Sequence, residues 1–548
     1  MFVILFLYLL YYKINNVFLP NLLMKTNFVS ILPKEQIIDD KDGIAMILRN
    51  CIDVVKTISC VLIPVTKQEV ISIVLECRKK NLSYYCFSTG NNWGYGSKNP
   101  VFDSDVLIDL SQLDTIIDVS EELCVARIEP GVTQGDLSLY LREKNLDLLV
   151  NVTGAGPNCS ILGNSLERGF GVGLHNESFD QLIDLEVLLP NGDVIKTGYG
   201  HFEENSLSHI RGHGIGPDLK GLFAQSNLGI VLEATIKLQR KPKYCELMVL
   251  HCEDDSSMLS FLEEVRELKH AGVFTNTVQF FNNLRVISVL KGKPDLSQTH
   301  ISQSIIEDFS KRYSLSKWSG MTILCGDKKL VSYKKKLVLK KAKKNSMKVD
   351  FYSEKKILFL KKHSILLSKI KGYDLSPFLS SLHQAFNLFN GIPFNEALNS
   401  CYYRNSQVPI EYNPAKENCG LFWVSPISPL TTKDEEKVYT IIKEGFEKYN
   451  FDLFMTVNVL NERQITNIVG LAYNKENTQE ALRAKKCHEE VIKKLIKAGY
   501  LSYRLGVEDM SHFVDTNDTY WTTIYNIKSL FDKKHLFAKG RYCLKNEE

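Results

Sequence analysis

No Cys-x-x-Cys pair occurs in the chain, although it holds 13 cysteines. Their odd number and irregular spacing argue against a disulfide framework or a zinc site, and fit thiols kept reduced in a cytosol. Charge of one sign is also scarce. A formal net charge of +4 over 548 residues excludes the strongly basic character of a nucleic-acid-binding chain. There is no Walker motif, and no Gly-x-Gly-x-x-Gly opens a helix with an acidic residue behind it, which argues against a P-loop and an ordinary Rossmann turn. Long apolar runs are missing too. Phe2–Tyr12, "FVILFLYLLYY", is an unbroken apolar run of 11 residues, short of the ~20 that a spanning helix needs. No positive charge precedes it as a signal peptide requires. Either an over-extended start upstream of Met24, or a membrane anchor or export signal within residues 2–24, accounts for it. The rest of the chain reads as cytoplasmic. No internal repeat or low-complexity tract is present.

What is there reads as a globular protein of more than one domain, since 548 residues exceed one simple core. Residues 58–240 alternate strand-like and helix-like segments. "CVLIPVT" and "SYYCFST" are strands around the helix "KQEVISIVLECRKKN". "DVLIDLSQL", "TIIDVS" and "CVARIEPGVT" are further strands, and "QGDLSLYLREKN" is a helix with Asp136 in its first turn, suited to the dipole. "LIDLEVLLPNGDVIKTG" is a hairpin closed at Asn191-Gly192. A strand, "LGIVLEATIKLQRKP", ends this region at Pro242. Residues 243–500 mix longer helices ("SSMLSFLEEVRELKHAG", "NTQEALRAKKCHEEVIKKLIKAG") with strands ("CGLFWVSPI", "FDLFMTVNV") and read as a separate α+β unit. Within it, residues 328–371 hold 16 lysines against Asp350 and Glu354. The interleaved Leu, Ile and Val favour solvated helix faces over a polyanion or membrane patch.

Glycine is concentrated in four loops: Ser88–Ser97 ("STGNNWGYGS"), Gly154–Gly173, Arg211–Gly216 and Ser226–Gly229. Loops rich in unhindered main-chain N–H groups can jointly surround one large anionic ligand. The fold class expected is α+β.

"VTKQEVISIVLECRKKNLSYYCFSTGNNWGYGS", "IEPGVTQGDLSLYL", "SILGNSLERGFGVG" and "GLFAQSNLGIVLEATIKL" together resemble the FAD-binding domain of the vanillyl-alcohol oxidase family. The nearer match is its branch with 4-cresol dehydrogenase, which carries a PCMH-type (p-cresol methylhydroxylase) FAD-binding domain. The resemblance continues through "GIPFNEALNSCYYR" and "SYRLGVEDM" to "FDKKHLFAKGRY". It implies a two-part FAD domain, 40–242 and 501–548, with an inserted cap domain, 243–500, after an extension, 1–39. It places Ser88, Thr89, Gly90, Asn91, Asn92, Gly94, Gly96 and Ser97 around the FAD pyrophosphate. Gly163, Asn164, Arg168 and Gly169 are placed along the ribityl chain and pyrophosphate, Gly229, Ile230 and Val231 against the adenine, and Arg541 at the flavin edge.

In this branch a hydride leaves a benzylic carbon for flavin N5 while a para-phenol is held as phenolate. The resemblance assigns that task to Tyr95, Tyr503 and Arg504: two hydrogen-bond donors, and a cation that lowers the phenol pKa. Two departures stand out. Thr466 and Asn467 are aligned with histidines of a family oxidase, and "NNWGYG" lacks a histidine, so non-covalent FAD is expected. The family's carboxylate near N5 falls at residues 152–157, "VTGAGP", which holds none. Either Glu508 or Asp509 replaces it or the substrate differs, and His175 is a candidate pocket residue. The expected activity is an FAD-dependent oxidation of a 4-alkylphenol or aryl alcohol, with O2 or an electron-carrier protein as acceptor and a homo-oligomeric assembly. The alternatives are oxidation of an alcohol or amine on a biosynthetic intermediate, or flavin binding without turnover.

Overall fold

A computed structural model of the chain describes residues 28–174, 177–202, 205–290, 300–313, 315–405, 409–515 and 517–543. The readings made for residues 2–24 and for His175 lie outside the described residues. Among the described residues, no helix is long and apolar enough to cross a membrane.

Three sheets carry the architecture, an α+β fold. In the first, β1 (Ile58–Leu62) and β2 (Tyr84–Phe87) flank β3 (Ser104–Asp109) in parallel. The crossover from β1 to β2 is α1 (Lys67–Lys80), which buries Val70, Ile73, Val74 and Cys77 on one helical stripe. Thr66 caps its start in a capping box with Glu69.

The second sheet is antiparallel. It comprises β4 (Ile116–Ser120), β5 (Val125–Ile128), β6 (Leu182–Leu188), β7 (Val194–Lys196) and β8 (Ile230–Lys237), in spatial order β4-β5-β8-β6-β7. The hairpin expected at Asn191-Gly192 forms, with Leu188 opposite Val194. Between β5 and β6 lie α2 (Gln134–Glu143), whose capping box pairs Thr133 with Asp136, and the short α3 (Ile161–Leu166).

The chain then enters the largest sheet. Its strands include β9 (Tyr244–Cys252), β10 (Val278–Asn282), β11 (Trp318–Gly326), β12 (Lys348–Ser353), β13 (Gly420–Val424), β14 (Phe454–Val459) and β15 (Gln464–Tyr473). They lie in the order β12-β9-β11-β10-β14-β15-β13. Helices α4 (Asp255–His270), α5 (Asn283–Leu290), α6 (Lys328–Lys344), α7 (Ser376–Phe389), α8 (Thr432–Lys448) and α9 (Thr478–Lys497) accompany it.

Strand alternation decides what each face of this sheet does. Met248, Leu250, Val278, Phe280, Met455 and Val457 point into a core closed by α4, α6, α8 and α9. The residues between them, Val249, His251, Gln279, Phe281, Thr456 and Asn458, line a cavity on the opposite face. The first part of the lysine-rich stretch is the outer side of α6. Its Val331, Val338 and Ala342 are buried, while Lys335 pairs with Glu246 at 2.7 Å and Lys344 with Glu264 at 3.1 Å.

After α9 the chain returns to the first sheet. Tyr84 N–H donates to Leu536 O at 3.0 Å, and Ala538 N–H donates to Tyr84 O at 2.8 Å. The helix α10 (Thr519–Phe531) fixes this return through Lys528. Its buried ammonium donates to Asp532 at 3.0 Å and to the carbonyls of Asn227 and Phe537 at 3.0 and 2.9 Å.

Candidate active site

A cavity of about 570 Å³ lies between the first two sheets and the open face of the third. The loop that follows β2 forms one wall. Ser88, Thr89, Gly90, Asn91, Asn92, Tyr95 and Ser97 all line it, and no N–H group of Thr89 through Asn92 donates to a main-chain carbonyl. Gly94 and Gly96 lie behind the wall rather than on it. Both are in the left-handed region, at φ 73° and 115°, and a Cβ would fall 2.5 Å from Trp423 Cδ1 and 2.6 Å from Val507 Cγ2 respectively. These glycines let the loop lie against the large sheet and the C-terminal segment. Trp93 packs into a buried cluster with Cys401, Tyr402 and Leu421, and its Nε1–H donates to Asn413 Oδ1 at 3.2 Å.

Gly163 and Asn164 of α3 also line the cavity. A Cβ on Gly163 would fall 2.6 Å from Ser88 Oγ, so this close approach joins the two loops. Gly169 is packed against the Asn164 side chain and does not reach the lining. Arg168 turns away, with its guanidinium 6.0 Å from the Phe179 ring. Gly229, Ile230 and Val231, where β8 begins, line the far end. Arg541 lines the cavity too; it pairs with Glu167 and donates to the Tyr85 hydroxyl at 3.2 Å.

Tyr95, Tyr503 and Arg504 converge. The Arg504 guanidinium carbon lies 5.1 Å from the Tyr95 ring centroid and 5.3 Å from that of Tyr503. Arg504 donates to Asn92 Oδ1 at 2.9 Å and to Asn164 Oδ1 at 3.2 Å, so two neutral side chains orient it. No carboxylate pairs with it among the described residues. Burial opposes its charge, but Tyr503, Tyr95 and Glu167 outweigh that and raise its pKa. Burial, reinforced by Tyr503, pushes the Tyr95 phenol well above its ordinary value, with Arg504 pulling the other way. The hydroxyls of Tyr95 and Ser425 share a 2.6 Å hydrogen bond. Tyr503 is held by its main chain: its carbonyl accepts from Gln225 Nε2 at 2.8 Å, and its ring meets Phe170 edge-on at 5.7 Å.

Three expectations need correction. The Arg211–Gly216 loop is absent from the lining; its Gly214 packs against Gly198, where a Cβ would fall 2.3 Å from the carbonyl oxygen. Glu508 and Asp509 do not supply a carboxylate. Glu508 pairs with Lys485 at 2.8 Å, Asp509 lies 3.9 Å from His488, and neither lines the cavity. Thr466 and Asn467, aligned with family histidines, are buried and do not line the cavity, Asn467 donating to Glu435 at 3.1 Å. The stretch 152–157 does contribute Thr153, Gly154 and Ala155.

The residues that sequence reasoning missed come from the large sheet and α5: His251, Gln279, Asn458 and Arg285. Gln279 Nε2 donates to Asn458 Oδ1 at 2.9 Å, and His251 Nε2 faces Asp350 at 3.0 Å. A signal for Arg285 was present, because it is the one charged residue of the apolar helix "NLRVISVL".

The wall chemistry fits a dinucleotide with a pyrophosphate. Donors without a partner among the described residues belong to lining residues: the N–H groups of Thr89–Asn92, the buried Ser226 hydroxyl and the Arg504 Nε–H. Glu167 is the one carboxylate of the described lining, and Arg541 and Tyr542 already engage it.

The FAD binding domain family matches residues 58–198. Over 495 residues the chain is 30% identical to 1'-carboxy-chondrochloren decarboxylase of Chondromyces crocatus, covering 89% of this chain and 91% of the relative. It is 25% identical over 480 residues to the flavoprotein subunit of 4-cresol dehydrogenase (hydroxylating) of Pseudomonas putida, covering 87% and 86%. In fold it is similar to substrate-bound p-cresol methylhydroxylase, with a TM-score of 0.83 at 23% identity over 95% of this chain and 97% of that one. The 4-ethylphenol oxidase of Gulosibacter chungangensis, in complex with isoeugenol, gives a TM-score of 0.84 at 19% identity, with the same coverage of 95% and 97%.

Proposed function

The chain belongs to the PCMH-type family of FAD-linked oxidoreductases, and on that premise we propose that it removes a hydride from the benzylic carbon of a 4-substituted phenol. FAD is the cofactor, and its chemistry when bound would be to accept a hydride, which carries two electrons and one proton, at its ring system. The observation that carries the proposal is Arg504 set between two phenol side chains on the cavity, with no carboxylate in ion-pair contact with it among the described residues.

Main-chain N–H groups of Thr89–Asn92, with Ser88, Ser97, Gly163 and Asn164 beside them, hold the pyrophosphate and ribityl chain. Gly229, Ile230 and Val231 would hold the adenine, and Arg541 would supply positive charge to the flavin ring. Gly94, Gly96, Arg168 and Gly169 act indirectly, by shaping these loops. The FAD is dissociable in this reading. Of the lining groups able to bond a flavin, His251 faces Asp350, and burial raises the pKa of the Cys86, Cys159 and Cys401 thiols and of the Tyr313 and Tyr352 phenols, which disfavours their nucleophilic anions.

Tyr95 and Tyr503 donate to the substrate oxygen, and Arg504 stabilises it as phenolate. The Tyr95–Ser425 pair permits this. When Ser425 donates to the Tyr95 oxygen, the Tyr95 proton is available to the substrate. Electron release from the phenolate oxygen then expels the hydride and leaves a quinone methide. Water addition gives an alcohol; loss of CO2 from a carboxylate on the adjacent carbon returns the pair of electrons to the ring and gives an alkene. The 4-cresol dehydrogenase relative, described as hydroxylating, supports the first fate and the decarboxylase relative the second. Reoxidation is by O2 or an electron-carrier protein, and the enzyme works as a homo-oligomer in the cytoplasm.

Anaerobic mixing of the purified holoenzyme with vanillyl alcohol or 4-ethylphenol tests the proposal. Bleaching of the flavin that is lost in Tyr503→Phe and Arg504→Ala supports it. Equal bleaching in those variants would sink it.

A further inference from the structure

Arg285 is the cation of this cavity that the proposal above does not use. It is carried by α5 and lines the cavity. Its guanidinium donates to the Ser400 hydroxyl, a neutral partner. No carboxylate pairs with it among the described residues. The titratable group nearest it is Cys401, and burial pushes that thiol up to about 11, so it is neutral near pH 7 and cannot balance the charge. Burial also pulls the Arg285 pKa down, as expected of a cation without a counter-ion.

A desolvated, uncompensated guanidinium is costly and is retained where an anion arrives to meet it. The other charges in the lining are already assigned. Arg541 is paired with Glu167, and Arg504 lies between the two tyrosines. The loop amides face the pyrophosphate. Around Arg285 the wall is apolar, formed by Phe281, Val286, Val289, Leu290 and Leu398. A greasy channel with one fork-shaped cation suits an alkyl chain that carries a carboxylate.

We infer that Arg285 binds a carboxylate on the side chain of the substrate, so that the preferred substrate is a phenol whose para substituent is an acid. This rests on the phenol reading above. It would explain why no carboxylate pairs with Arg285 among the described residues: the anionic partner comes with the ligand.

The test uses the anaerobic holoenzyme and three ligands: 3-(4-hydroxyphenyl)propanoate, its neutral counterpart 4-propylphenol, and 3-phenylpropanoate, which lacks the phenol. Dissociation constants are read from perturbation of the flavin spectrum. The hydroxylated acid is expected to bind roughly 10- to 100-fold tighter than 4-propylphenol, as a charged bidentate pair provides. In Arg285→Gln that ratio falls to about one, and Arg285→Lys, which keeps the charge without the fork, gives a ratio in between. The lysine variant supplies the reading if the glutamine variant does not fold. An acid-to-neutral ratio unchanged in either variant, or a wild-type ratio of one, overturns the inference. If only the phenol reading is wrong, the two acids bind alike, no ligand bleaches the flavin, and Arg285→Gln still weakens both acids.

Discussion

Arg504→Gln removes the positive charge set 5.1 and 5.3 Å from the ring centroids of Tyr95 and Tyr503. A phenolate oxygen that accepts from both hydroxyls lies about 4 Å from the guanidinium, where a unit pair at an effective dielectric of about 20 is worth about 4 kcal/mol. At about 1.4 kcal/mol per pKa unit, Arg504 lowers the pKa of a bound phenol by about 3, from about 10 to about 7. The phenolate is the reacting form, so flavin reduction in the wild type rises with pH and levels off just above about 7. In the variant the same rise is displaced to about 10, and at pH 7 reduction is slower by roughly 100- to 1000-fold. The loss is recovered as the pH is raised. Anaerobic stopped-flow reduction by 4-ethylphenol across this range is the assay. A variant with the wild-type pH midpoint, or one slowed by the same factor at every pH, would refute the electrostatic reasoning.

Other outcomes follow from the same structure. Gly94→Ala forces a side chain at φ 73° into Trp423 Cδ1, and a loss of about 1–3 kcal/mol in denaturant unfolding is expected, with weaker FAD retention. Glu435 is buried, and burial raises its pKa to about 7 against the bonds from Ser428 and Asn467. Because the folded value exceeds the unfolded one of about 4.5, the stability associated with its protonated form is present at low pH and lost as pH rises through about 7. Glu435→Gln is therefore expected to gain on the order of 3 kcal/mol over wild type at pH 8 and little at pH 4, read from unfolding curves. Acid precipitation of the holoenzyme is expected to leave the yellow FAD in the supernatant; colour retained on the denatured chain would show a covalent bond.

The parts of the fold set by local rules were legible in the sequence. The stripe Val70, Ile73, Val74, Cys77 marked α1, and Asn191-Gly192 marked the β6–β7 hairpin. The glycine-rich wall of the cavity was legible for a similar reason, since glycine density at residues 88–97 marked a loop open to its surroundings. The opposite wall was not. Gln279, Asn458 and His251 come together only through the order β9-β11-β10-β14, which joins strands nearly two hundred residues apart. Asn467 was misplaced because strand alternation turns it toward Glu435 while Ile468 faces the cavity. Gly214 of the Arg211–Gly216 loop serves packing against Gly198, and Gly216 serves a turn at φ 92°, uses that composition cannot tell from ligand binding.

The central claim is hydride removal from a benzylic carbon beside Arg504. Single-turnover reduction of the enzyme by 4-ethylphenol, compared with 4-ethylphenol deuterated at the benzylic carbon, tests it most directly. The account predicts that the flavin bleaches with both and more slowly with the deuterated substrate. Absence of bleaching by any para-substituted phenol, or identical rates for the two isotopologues, would contradict it.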